Sequence, residues 1–229
     1  MRSDTLNTVN SRIHRGYTPP TPLSLAQPDY GILRKAQRGD ERAFTILVRA
    51  YEVPVFNYVL RLVGDRSLAE DLTQEVFLRV YQGLPKFSLR CRFTTWLFQV
   101  TKNRVLDELR ALERRPRAVV ALEDAPAFEV LDAPAERIEA MDAVWRAIND
   151  LNVDLKMALL LRDVVGLSYT EIADSLEITL ATVKWRIYKA REEVQLALAR
   201  EGIGYPGAAE QTGEPEPAGV ADVVPLPAT

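Results

Sequence analysis

Phe93-Thr-Thr-Trp-Leu-Phe-Gln-Val-Thr-Lys-Asn-Arg-Val-Leu-Asp-Glu-Leu-Arg-Ala-Leu-Glu-Arg-Arg115 organises the reading of the whole chain. Wound at about 3.6 residues per turn, it aligns Phe98, Val105, Leu109 and Leu112 on one side, with Thr101 beside them, the stripe by which a helix docks on a core. The opposite side carries Trp96, Gln99, Asn103, Asp107 and Arg110. Read as a surface, this is a solvated helix face bearing one tryptophan. Read as a site, it joins a ring that stacks on an unpaired base, amides that bond base edges and a guanidinium that holds phosphate.

The residues leading into that helix favour the second reading. Residues 83–92, Gly-Leu-Pro-Lys-Phe-Ser-Leu-Arg-Cys-Arg, form a turn-rich loop with one aromatic ring and three cations. Loop and helix together interleave rings with charge as a single-strand DNA platform does. From residue 86 to 117 there are nine basic residues and three acidic ones, and from 118 to 142 seven acidic residues and one basic. Overall the chain carries −3 with a pI near 5.4, which argues against a free-standing nucleic-acid binder, so the basic block followed by an acidic tether is the informative feature.

Composition excludes several chemistries. One cysteine, Cys91, permits no intramolecular disulfide or cysteine-rich zinc site, and one histidine, His14, leaves almost no material for metal catalysis or a histidine-dependent triad. No catalytic residue, cofactor or metal is therefore expected. Arg90 and Arg92 beside Cys91 would depress its thiol pKa, although a passive small residue is the plainer reading. The amino terminus lacks the apolar core of a secretory signal and no apolar run of spanning length stands out, so a cytoplasmic location without membrane insertion is expected.

Upstream, residues 1–28 read as a disordered arm closed by Pro19, Pro20, Pro22 and Pro28. A short helix beginning near Tyr30 ends at Gly39, and Asp40 is placed to cap the next. Pro54 marks a break or kink in that second helix. Ser67 and Glu70 read as a capping box for a helix over 68–82, which buries Ala69, Leu72, Thr73, Val76, Phe77 and Val80 and turns Asp71, Gln74, Glu75, Leu78, Arg79 and Gln82 outward. A leucine ringed by acids and amides suits a partner helix.

Downstream, residues 116–134 are rich in Ala, Pro and acid and read as a linker. Helical spacing resumes over 135–149, with Trp145 packing between helices, and again over 155–164. Residues 167–193 have the pattern of a helix-turn-helix. Ser168 and Glu171 form a capping box, Ile172, Ala173 and Leu176 face inward, and a turn at 177–179 leads to a second helix burying Val183, Ile187, Ala190 and Val194. That helix offers Thr182, Lys184, Trp185, Arg186, Tyr188, Lys189 and Arg191 on its other faces, a composition suited to a major groove. Residues 202–229 read as a flexible tail.

These segments together resemble an extracytoplasmic-function (ECF) sigma factor of bacterial RNA polymerase. Gly39-Asp40-Glu41-Arg42-Ala43-Phe44, the run Ala69-Glu-Asp-Leu-Thr-Gln-Glu-Val-Phe77, Phe93-Thr-Thr-Trp-Leu97 and the helix-turn-helix occur in the family's order and spacing over about residues 32–200. The resemblance implies an all-α chain of two small helical domains, σ2-like over 29–115 and σ4-like over 135–201, joined by the acidic linker. It implies that Asp71, Gln74, Glu75, Leu78 and Gln82 dock on the clamp coiled coil of the polymerase β′ subunit. Lys86, Phe87, Ser88, Arg90, Arg92, Trp96, Gln99, Asn103, Arg104 and Arg110 would recognise and melt the −10 element. Thr182, Lys184, Trp185, Arg186, Tyr188, Lys189 and Arg191 would read the −35 duplex while their domain rests on the β flap. An anti-sigma factor, able to hold the protein at the membrane, is the implied regulator. Trp185 stands where the family often has a smaller polar residue. The competing reading is an autonomous helix-turn-helix regulator, which predicts operator binding without polymerase.

Overall fold

The computed structural model describes residues 25–114 and 135–203. Among them are eight α-helices and no strand: α1 Tyr30–Gln37, α2 Glu41–Val63, α3 Arg66–Gly83, α4 Phe93–Arg114, α5 Ala135–Asn149, α6 Val153–Asp163, α7 Tyr169–Leu176 and α8 Leu180–Arg200, with a short 3-10 turn at Leu84–Lys86. α1 to α4 pack as one bundle and α5 to α8 as another. The acidic linker, most of the amino-terminal arm and most of the carboxy-terminal tail lie outside the described residues.

Local sequence sets most helix ends. Asp29 and Asp40 accept backbone N–H groups at the starts of α1 and α2, and Gly64 ends α2 in the left-handed conformation. The capping box expected at Ser67 is not formed. Asp65 caps α3 instead, accepting from the Leu68 N–H at 2.7 Å, while Glu70 turns to Arg66 at 3.0 Å. Both Asp65 and Ser67 are good caps, and Asp65 starts the helix two residues earlier. Nor does Pro54 break α2, which runs through 23 residues. By length and mean hydropathy α2 could pass for a membrane span, against the expectation from the sequence, yet its Tyr51, Val55, Tyr58 and Val59 are buried in the bundle.

α3 buries Ala69, Leu72, Thr73, Val76, Phe77 and Val80, as its periodicity predicts. In α4 the inward stripe is Leu97, Phe98, Thr101 and Val105; Leu109 is half-buried and Leu112 is exposed, because the helix runs on past the end of the core it packs against. The first bundle is knitted by rings: Tyr51 against Phe93, Tyr58 edge-on to Phe98, and Phe87 between Phe93 and Trp96. Such tilted and edge-to-face pairs add to the area they bury. The second bundle is aliphatic, centred on Leu155, Leu160, Leu161, Leu167, Ile172, Val183 and Ile187.

Two further departures bear on function. Residues 25–29, most of them assigned from sequence to the arm, are held against the first bundle. Tyr51 Oη donates to the Ala26 carbonyl at 2.6 Å, and Gln27 accepts the Phe93 N–H at 2.9 Å, serving as the missing cap of α4. Burial pushes the Tyr51 phenol up to about 12, so it remains a donor at neutral pH. In addition, the two bundles lie against each other: α4 packs on α7 and α2 on α6. The Arg61 guanidinium stacks 3.5 Å over Trp145 of α5, a cation–π contact linking the bundles. Burial lowers Arg61 to about 10, which leaves it cationic.

Candidate nucleic-acid and protein interfaces

Three surfaces carry the residues singled out from the sequence. On α3, Asp71, Gln74, Glu75, Leu78 and Gln82 are all exposed, as the helical spacing requires. Leu78 is 57% exposed and lies beside a shallow groove between α2 and α3 lined by Phe44, Val48, Phe77 and Tyr81. An apolar groove edged by carboxylates and amides can take the side of another helix. Glu75 is also engaged within the molecule: it pairs with Arg104 of α4, and Arg104 reaches Glu108 at 2.8 Å. The Arg104 hydrogen bond holds the Glu75 carboxyl below the usual carboxylate range.

The second surface is the loop before α4 and that helix's outer side. Lys86, Ser88 and Arg90 are exposed, as are Asn103 and Arg110. Phe87 does not face outward: it is buried, with its ring 4.8 Å from that of Trp96. Trp96 is half-buried in the same cluster, and its far edge lies against Gly83, where an added Cβ would come within 3.1 Å of the indole. Sequence periodicity could not separate these cases, since helical spacing gives direction but not the height of the neighbouring loop. The Arg104 side chain is only 11% exposed, which leaves its guanidinium gripped by carboxylates. Cys91 is exposed, and its thiol is pushed up by partial burial and by Asp174; the lowering expected from Arg90 and Arg92 does not prevail.

The rest of this surface is occupied by the other bundle. Arg92 meets Glu171 of α7 at 3.1 Å, and Lys102 meets Glu177 at 2.8 Å. Gln99 lies close enough to Glu177 to help hold its carboxyl down. Ser175 Oγ donates to the Thr95 carbonyl at 3.1 Å, and Thr94 Oγ1 lies 3.4 Å from Glu171. Lys102, Glu171 and Glu177 were not singled out from sequence as members of this surface. Lys102 falls between the apolar and outer sides of α4, and its partner lies 75 residues away.

The third surface is α8. Its start is capped by Thr179, which accepts from the Thr182 N–H at 3.1 Å, and the preceding α7 has the Ser168–Glu171 capping box read from sequence. Val183, Ile187, Ala190, Val194 and Leu198 are buried. Trp185 and Tyr188 are exposed, Lys184 with them. Thr182 is half-buried, and its hydroxyl lies 2.7 Å from that of Thr179. Arg186 is braced by Asp154 at 2.9 Å and Arg191 by Asp163 at 2.7 Å, both acids belonging to α6 of the same bundle. Lys189 pairs with Glu192 along the helix at 2.6 Å. Such pairs hold long cations in one orientation.

Among the described residues no group of three or more His, Cys, Asp or Glu is placed to hold a metal ion.

Comparison with known proteins bears on what these surfaces serve. Sigma-70 region 2 matches residues 47–115, and Sigma-70, region 4 matches residues 141–194. The RNA polymerase sigma-H factor of Pseudomonas aeruginosa is 36% identical over 182 residues, covering 75% of this chain and 94% of that protein. The ECF RNA polymerase sigma-E factor of Haemophilus influenzae is 33% identical over 177 residues, covering 73% and 93%. Among solved structures, the sigma factor RpoE from Bartonella quintana, crystallised with the anti-sigma factor NepR, shares the fold with a TM-score of 0.60 at 21% identity, over 68% of this chain and 96% of that one. CnrH, solved with the cytosolic domain of CnrY, shares it with a TM-score of 0.58 at 24% identity, over 74% and 96%.

Proposed function

This chain belongs to the extracytoplasmic-function sigma factors of bacterial RNA polymerase, and on that premise we propose a task for each of its three surfaces. The outward side of α3, centred on Leu78 with Asp71, Gln74, Glu75 and Gln82 around it, docks on the polymerase β′ clamp coiled coil. The loop at 86–92 and the side of α4 bearing Trp96, Gln99, Asn103 and Arg110 bind the −10 element as it opens. Trp96 gives a flipped base a π-face, and the cations follow the phosphates. α8 lies in the major groove of the −35 element, where Trp185, Lys184 and Tyr188 reach the duplex and Arg186 and Arg191 sit oriented for phosphate. Its bundle then rests on the β flap.

The protein itself makes and breaks no covalent bond. It contributes binding energy and strand opening, while polymerase supplies the chemistry in the cytoplasm, at the nucleoid. Control by an anti-sigma factor belongs to the same reading, and it is supported by the like-folded sigma factor RpoE, which was solved with the anti-sigma factor NepR.

The observation that carries this reading is that the two basic, ring-bearing helices, α4 and α8, fall one in each matched sigma region. Promoter-directed initiation by purified protein with a bacterial core polymerase tests it. Leu78→Asp should remove core binding, measured by co-migration with core, while leaving the thermal unfolding profile intact. Absence of specific initiation with any core would overturn the reading, as would tight operator binding by the protein alone.

A further inference from the structure

Helix α7 of the helix-turn-helix is seated on the part of α4 assigned to the −10 strand. Glu171 and Glu177 deliver carboxylates to Arg92 and Lys102. A carboxylate and a phosphate diester make the same demand on a guanidinium or ammonium group: a compact anion with two accepting oxygens. α7 thus offers α4 what a DNA strand would offer it.

A second, independent observation concerns the backbone. Five described residues have positive φ, and four are glycines at Gly39, Gly64, Gly166 and Gly202. The fifth is Glu177, at φ 59° and ψ 42°, closing α7 where glycine is the unstrained choice. A left-handed residue with a side chain persists when that side chain is used. Here it makes the 2.8 Å bond to a lysine whose side chain is only 8% exposed.

Geometry adds a third constraint. Promoter elements centred about 25 base pairs apart lie roughly 85 Å apart at about 3.4 Å per base pair, whereas packed helices have axes about 8–10 Å apart. With α7 against α4, the two DNA readers cannot occupy both elements. Residues 115–134, drawn out at about 3.5 Å each, reach at most roughly 70 Å, enough for the bundles to separate by most of that span.

We infer that the contact between α7 and α4 is a self-inhibiting latch, in which Glu171 and Glu177 mask the −10 surface by taking the place of DNA phosphates until polymerase or DNA separates the bundles. The inference rests on the assignment of α4 to the −10 strand. It makes the free protein a poor single-strand binder by intramolecular competition, beyond what net charge imposes.

The test uses the full chain with Cys91→Ser, and donor and acceptor dyes at Ala50→Cys on α2 and Ala199→Cys on α8, both exposed sites. Glu177→Gly relieves the left-handed turn while removing the latching carboxylate, so it opens the molecule without unfolding α7. Energy transfer should fall, and a fluorescent single-stranded 15-mer of random sequence should bind about tenfold more tightly, as expected if nine molecules in ten are closed. Lys102→Glu should open the molecule as well, and Lys102→Glu with Glu177→Lys should close it again. Unchanged transfer in both single variants would overturn the latch, and opening by Glu177→Gly without a gain in single-strand affinity would overturn the masking. Initiation with core polymerase, run on the same unsubstituted protein, reports separately on the functional assignment.

Discussion

The two helices proposed to face DNA carry similar residues under different constraints. On α8 the arginines are steadied by Asp154 and Asp163 from the neighbouring helix of their own bundle, and Trp185 and Tyr188 stand clear. On α4 the tryptophan is half sunk into a ring cluster, and Arg92 and Lys102 are held by acids from the other bundle. A carboxylate within the same rigid unit orients a cation for a ligand. One from a unit that can move away competes with the ligand. The same ion pair thus prepares a site in one case and closes it in the other.

The two tryptophans should divide most sharply. Trp96→Ala removes half-buried aromatic area from the cluster with Phe87 and Phe93 and should cost about 2 kcal/mol or more, read as a drop in denaturation midpoint together with loss of open-complex formation. Trp185→Ala should stay within about 0.5 kcal/mol in stability while weakening holoenzyme binding to a −35-containing duplex about tenfold, a cost in keeping with about 1–3 kcal/mol for a base contact. Equal loss of stability in the two variants would erase the distinction.

The acids should act in opposite senses. Asp163→Asn removes the charge that braces Arg191 and should lower the ratio of specific to random duplex affinity of the holoenzyme about threefold, measured by fluorescence anisotropy. Removing the α7 carboxylate should instead strengthen single-strand binding by the free protein. If both substitutions moved affinity the same way, the division between orienting and competing acids would fail.

A smaller effect is expected at Gly83→Ala. The new methyl meets the Trp96 ring at 3.1 Å and must displace it by a few tenths of an ångström, against a helix-propensity gain of about 0.5–1 kcal/mol. Stability should change by less than about 1 kcal/mol, while the tryptophan emission spectrum shifts as the indole moves. An unshifted spectrum would show that the ring has room to spare.

Acid should open the latch last. Hydrogen bonding to Lys102, the lysine charge and Gln99 hold the Glu177 carboxyl below its ordinary value of 4.5. A carboxylate depressed in the closed form supports closure fully above its ordinary pKa and loses that support as pH falls through the depressed value. Energy transfer between the bundles should therefore hold constant from pH 7 to about 5 and decline only once the pH has fallen below that ordinary value. A decline beginning near pH 6 would point to another group.

Much of this molecule was legible because helical periodicity is local. The buried side of α3, the capping box at Ser168, the turn at 177–179 and the inward residues of α8 each follow from neighbours within a turn or two. Local reading failed where two nearby residues competed for one role, as Asp65 and Ser67 did, or where a proline in a long helix was tolerated by the bundle around it. Lys102 with Glu177 is the larger lesson: an amphipathic pattern marks Lys102 as ambiguous and says nothing about an acid 75 residues away.

From the order of residues alone come the helices, their apolar sides, the segregation of charge and the membership of a sigma family, since each rests on patterns a few residues long or on motifs in sequence. Pairings between residues far apart in the chain come from the fold: Gln27 capping α4, Arg61 over Trp145, and the acids of α7 against the cations of α4. Those contacts depend on how two surfaces meet in space, and no local periodicity encodes which distant charge completes them.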